Sequence, residues 1–167
     1  RRRTPHAAVP KESSGTRDGG DQHQPDQQLI RVFYTNCRSL RGKLDELKVI
    51  LATSDTDRPK IICLTETWTN ETIKDYELKL NGYTLKIRKD RLDTTRGRGG
   101  GILMYVDDEL IADEDTTFDL SPFTQAACLR VCSGDGSYVK LITVYRSPNS
   151  TAANNSYLNE FVAKADT

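Results

Sequence analysis

Residues 29–66 change hydropathy period twice, and nothing else in the chain restricts its fold as much. LIRVFYTN (29–36) alternates and is rich in β-formers, the pattern of a strand. LRGKLDELKVILAT (40–53) then sets Leu40, Leu44, Leu47, Val49, Ile50 and Leu51 along a helical stripe, with Ser39 as its N-cap. SDTDRP (54–59) breaks that period, and the apolar run beginning IICLT (61–65) reads as a buried strand. Strand, helix, strand in so short a span is a βαβ unit, whose strands run parallel and finish on one edge of the sheet. Asn36 and Glu66 therefore come out at the same lip, where polar functional groups collect in α/β structures. An unpaired buried carboxylate costs several kcal/mol or takes up a proton. Glu66 at the end of an apolar strand thus calls for a cation, a set of donors or open water.

Beyond the unit, GYTLKIRKD (82–90) and GILMYVDD (101–108) read as strands separated by a basic, glycine-rich loop, RLDTTRGRGG (91–100). ACLRVC (127–132) and YVKLITVY (138–145) flank SGDGS, a turn signal for an antiparallel hairpin. NSYLNEFVAKAD (155–166) has helical spacing, with Tyr157, Leu158, Phe161 and Val162 on one face. Two helices beside about six strands make an α/β domain, and 167 residues suit one such domain. Residues 1–28 hold almost no large apolar side chains, so they read as a disordered polar arm ahead of a domain over 29–167. The opening RRR reads as a solvated tail, with nucleic-acid contact or a weak nuclear signal as the alternative.

The 24 basic and 24 acidic residues cancel, which argues against a protein that coats nucleic acid by bulk charge, though not against a local phosphate site. No apolar run reaches the roughly 20 residues of a membrane span, and no signal peptide opens the chain, so an intracellular location, nucleus or cytoplasm, is expected. The four cysteines include no C-x-x-C, and both histidines, His6 and His23, lie in the arm. Reduced core thiols fit better than zinc.

Each polar residue that could carry chemistry also has a plain structural reading. Asn36 could cap a turn, Glu66 could be a solvated strand end, GRGGG (97–101) could be a loop that needs glycine freedom, and Tyr145 could simply end a strand. Taken in order, NCRSL (36–40), LTETW (64–68), RGGGILMYV (98–106) and VYRSPN (144–149) resemble the endonuclease/exonuclease/phosphatase superfamily. Within it they are most similar to the apurinic-endonuclease-like nuclease domain of non-LTR, LINE-type retrotransposons. The resemblance runs from about Ile30 to the end of the chain.

That resemblance implies a four-layered α/β sandwich, two mixed sheets between helices, and metal-dependent hydrolysis of a phosphodiester. It implies Mg²⁺, or Mn²⁺, on Glu66, with Asn36 in the polar network of the site and Tyr145 near the scissile phosphate. Arg96, Arg98 and Arg146 are candidate contacts to the DNA backbone. DNA is the implied partner, nicked for a reverse transcriptase domain in a longer parent protein, with no membrane involved. The superfamily also uses a GDFN-like strand end and a late SDH-like Asp–His pair. Neither occurs in this sequence, and no histidine follows His23. The expectation is therefore an incomplete sandwich, marginally stable and without an evident base to activate water. The alternatives are a non-catalytic remnant that binds nucleic acid or a partner, and an abasic-site endonuclease or phosphatase of the same superfamily.

Overall fold

The computed structural model describes residues 29–53, 58–90, 99–123 and 125–165. The arm expected over 1–28 and most of the basic loop, with Arg96 and Arg98, lie outside them. Among the described residues, seven strands and two α-helices follow in the order β1 (Val32–Asn36), α1 (Leu44–Thr53), β2 (Ile61–Thr65), β3 (Tyr83–Lys89), β4 (Ile102–Asp107), β5 (Ala112–Glu114), β6 (Gln125–Cys132), β7 (Tyr138–Tyr145) and α2 (Ala152–Ala165). A short 3-10 helix, Asp75–Leu78, lies between β2 and β3.

The strands form two sheets, β1-β2-β4-β3 and β5-β6-β7. β1 and β2 pair in parallel as the βαβ reading requires, with Asn36 opposite Thr65. All other pairings are antiparallel, so the first sheet is mixed and the second antiparallel. β2 and β4 lie inside the first sheet and are buried at every residue, which is why both read as unbroken apolar runs rather than alternating ones.

The period of two along β2 and β4 builds two cores. Ile62, Leu64, Leu103 and Tyr105 point to the helical side, where they meet Leu44, Leu47 and Leu51 of α1 and Leu78 of the 3-10 turn. Ile61, Cys63, Ile102, Met104 and Val106 point the other way, onto Ala127, Leu129 and Val131 of β6. Each fully buried side chain of this size stabilises the fold by about 1.5–3 kcal/mol.

The far face of the second sheet carries Cys128 and Lys140, residues alternate to those that enter the core. Lys140 pairs with Asp115 at 3.0 Å and lies over the Phe118 ring. Hydrogen bonds from the Thr117 hydroxyl and amide, joined by Lys140, hold the Asp115 carboxyl well below the usual carboxylate range. Helix α2 packs onto the same segment through edge-to-face contacts of Tyr157 and Phe161 with Phe123.

Helix α1 begins at Leu44, not at Leu40, and Ser39 is not its cap. The amide of Ser39 is instead bonded to the Glu66 carbonyl, with φ of 86°. Leu44, Leu47 and Leu51 face the core, while Val49 and Ile50 fall off that stripe and are exposed. All four cysteines are free thiols, and burial pushes Cys37 up to about 11.

Candidate active site

The C-terminal ends of β1 and β2, the start of β4 and the open ends of the β6–β7 hairpin meet at one edge of the sandwich. After Thr65 the chain leaves β2 through an unusual turn in which Glu66 (φ 50°) and Trp68 (φ 57°) are both left-handed. Such a conformation costs a residue with a side chain about 1–3 kcal/mol and persists only where its surroundings enforce it. Here they do. The Glu66 and Thr67 carbonyls accept from the amides of Ser39 and Leu40, and the Thr67 and Trp68 amides donate to the carbonyls of Gly101 and Gly100. The turn is thus held from β1 on one side and from the glycine segment ahead of β4 on the other.

Glycine is required in that segment. Gly100 and Gly101 have φ of 77° and 92°, and a Cβ on Gly101 would lie 2.3 Å from the Thr67 hydroxyl oxygen. The threonines alternate with the outward residues: Thr65, Thr67 and Thr69 are buried, and Glu66 and Trp68 are half-buried. The sequence LTETW therefore presents a carboxylate and an indole over a row of buried hydroxyls.

Tyr145, the last residue of β7, donates its phenolic hydrogen to Oε1 of Glu66. The contact spans 79 residues and joins the two sheets at the lip. Below it, burial raises the Cys63 thiol, an effect offset in part by the Thr143 side chain of β7. The carboxylate thus has a phenol donor on one oxygen. The ion pairs among the described residues do not include Glu66.

Asn36 is at the same lip, one register step before Glu66 and exposed. Among the described residues no direct hydrogen bond joins the two. Asn36 also borders a groove between β1 and α1 lined by Phe33, Leu40, Lys43 and Leu47. Arg146 follows Tyr145, and its exposed side chain donates to Oδ1 of Asn155 in α2 at 2.7 Å. Trp68 is half-buried, and its indole nitrogen has no hydrogen-bond partner among the described residues. Among the described residues no group of three or more His, Cys, Asp or Glu forms a metal cage.

One residue of this lip escaped the sequence reading. Gln125 opens β6 directly opposite Tyr145, and its Oε1 accepts the Gly101 amide at 2.7 Å.

No protein-family model matches the chain, and no curated protein matches it in sequence. Solved structures do match. The AP endonuclease LMAP from Leishmania major superposes with a TM-score of 0.53 at 16% identity, over 77% of this chain and 43% of that one. The 3' phosphatase NExo from Neisseria, bound to a product DNA hairpin, superposes with a TM-score of 0.50 at 16% identity, over 81% and 49%. The chain shares the α/β fold of these two structures. It spans less than half the length of either structure, and at such identity the likeness is one of fold. The endonuclease domain of TRAS1, a telomere-specific non-LTR retrotransposon, also matches, with a TM-score of 0.49 at 12% identity over 83% and 54%.

Proposed function

We propose that the chain is part of a metal-dependent phosphodiesterase domain, a DNA endonuclease of the non-LTR retrotransposon type, with Glu66, Tyr145 and Asn36 in its site. The observation that carries this reading is the hydrogen bond from Tyr145 to Glu66 at the junction of the two sheets. Two residues selected by motif from distant parts of the sequence meet there, on a fold shared with an AP endonuclease and a 3' phosphatase. The retrotransposon branch rests on the LTETW and YRSPN motifs.

The donor set fits a divalent cation. Mg²⁺ takes oxygen ligands and keeps several waters, so one or two carboxylates suffice. Glu66 offers its second carboxylate oxygen while Tyr145 orients the first, and Asn36 supplies a neutral amide nearby. A bound Mg²⁺ or Mn²⁺ would polarise a phosphoryl oxygen and offset charge on the leaving oxygen. Tyr145 fixes the rotamer of Glu66, Asn36 donates to phosphate without repelling it, and Arg146 meets the nucleic-acid backbone. The GDFN-like and SDH-like motifs that would position and activate water do not occur in this sequence, so the roles assigned to these residues are in holding the metal and the phosphate.

In a filter-retention assay with duplex DNA, the chain is expected to hold DNA more tightly in Mg²⁺ than in EDTA. Tyr145→Phe should weaken that increment several-fold while keeping the fold. Binding unaffected by Mg²⁺ and by Tyr145→Phe would favour a plain binding module, the reading supported by the missing motifs. Inositol phosphates, abasic-site DNA and intact duplex compared as competitors would separate the substrate classes.

A further inference from the structure

We infer that Gln125 is a positioning residue of this site, locking the turn that carries Glu66 to the strand pair that carries Tyr145. The inference rests on the function proposed above for its metal readout, though not for its structural one.

Three observations converge on it. Gln125 and Tyr145 are the terminal register pair of the β6–β7 hairpin, and they lie on the face that Ala127, Leu129 and Leu141 turn toward the first sheet. The side-chain oxygen of Gln125 accepts the Gly101 amide at 2.7 Å. That amide is a donor, so the carboxamide orientation follows from it. A Cβ on Gly100 would lie 2.3 Å from the carboxamide nitrogen, so the residue preceding Gly101 is bare where Gln125 passes.

The mechanical consequence follows from the bonds of the lip. Gly100 and Gly101 accept the amides of Trp68 and Thr67, the residues that hold Glu66 in its left-handed turn. A displacement of the glycine segment therefore displaces the Glu66 backbone. Tyr145 reaches Glu66 from the second sheet, and Gln125 ties the glycine segment to that same sheet beside Tyr145. Carboxylate and phenol are thereby referenced to one joint, to which Gln125 contributes from 24 residues away in sequence. Loss of a residue that orients a ligand costs metal affinity even though it never touches the ion.

The joint has a built-in reporter, because Trp68 is the chain's only tryptophan and its amide is bonded to Gly100. The test compares Gln125→Asn, which keeps the carboxamide but is one methylene too short, with Gln125→Glu, which keeps both reach and acceptor, and with Gln125→Leu. Trp68 emission is recorded on each metal-free chain, and Mn²⁺ affinity is measured alongside, with far-UV circular dichroism confirming the fold. Gln125→Asn and Gln125→Leu should shift Trp68 emission and weaken Mn²⁺ binding by about tenfold, whereas Gln125→Glu should leave the emission at its parent position. Unchanged emission in a folded Gln125→Asn or Gln125→Leu overturns the inference, as does a Gln125→Glu chain that is shifted as much as they are. If the emission shifts as described but the parent chain binds no Mn²⁺, the positioning role stands and the metal reading of the site fails.

Discussion

Tyr105→Ala is expected to unfold most of the chain at room temperature, whereas Tyr105→Phe should leave it folded. Tyr105 is fully buried on β4, inside the first sheet, and packs among Leu64, Leu78, Leu80 and Leu103. Its hydroxyl donates to the Leu78 carbonyl at 2.9 Å, fastening the 3-10 turn to the sheet. Removing an aromatic ring from such a core costs about 3–5 kcal/mol, and a buried carbonyl without its donor adds about 1–3 kcal/mol. Ordinary domains hold about 5–15 kcal/mol in total, so the alanine change removes a large share. The phenylalanine change loses only the hydrogen bond. Urea titrations followed by far-UV circular dichroism check this. Similar midpoints for the two variants would mean that β4 is not the centre of this fold.

Glu66→Gln is expected to lower Mg²⁺ and Mn²⁺ affinity by about a hundredfold or more, since even residues that only orient a ligand cost about 10–100-fold when lost. The substitution is nearly isosteric, and an amide oxygen still accepts the Tyr145 hydroxyl, so the link between the sheets survives. What disappears is the negative charge that a hard cation needs. Titration calorimetry on parent and variant gives the ratio directly. Equal affinities would assign any metal binding to another part of the surface, and an equal loss of thermal stability would assign Glu66 to the scaffold.

The parts of this fold legible beforehand are those set by local period. The β1–α1–β2 unit follows from two changes of period, and Leu44, Leu47 and Leu51 keep their helical stripe in the structure. Strand β5 was not legible, because Ala112–Glu114 is too short to show an alternation. The insertion of β4 between β2 and β3 was not legible either. Strand order is a tertiary choice, and β4 reads equally well in any central position.

The site divides the same way. Glu66 stands out as a charge at the end of an apolar run, a contradiction visible in one dimension. Its contact with Tyr145 depends on two sheets closing face to face, which no period encodes. Gln125 was within reach of a simple count. Stepping back from the SGDGS turn, with Cys132 opposite Tyr138, brings position 125 opposite Tyr145. The sequence reading started that strand at residue 127, two residues short of the one that matters. Ser39 failed for a different reason: the helix begins further on, at Leu44, and Ser39 lies in the left-handed bend after β1, where its amide donates to the Glu66 carbonyl.

The most direct test of a cation site between the two sheets is a map of amide line broadening as Mn²⁺ is titrated into the isotope-labelled chain. A cation at Glu66 should broaden the amides of residues 65–68, 100–102 and 144–146 first, stretches distant in sequence that share only this lip. Broadening centred instead on the Asp107–Glu109 acidic turn, or spread evenly over the exposed carboxylates, would contradict the account.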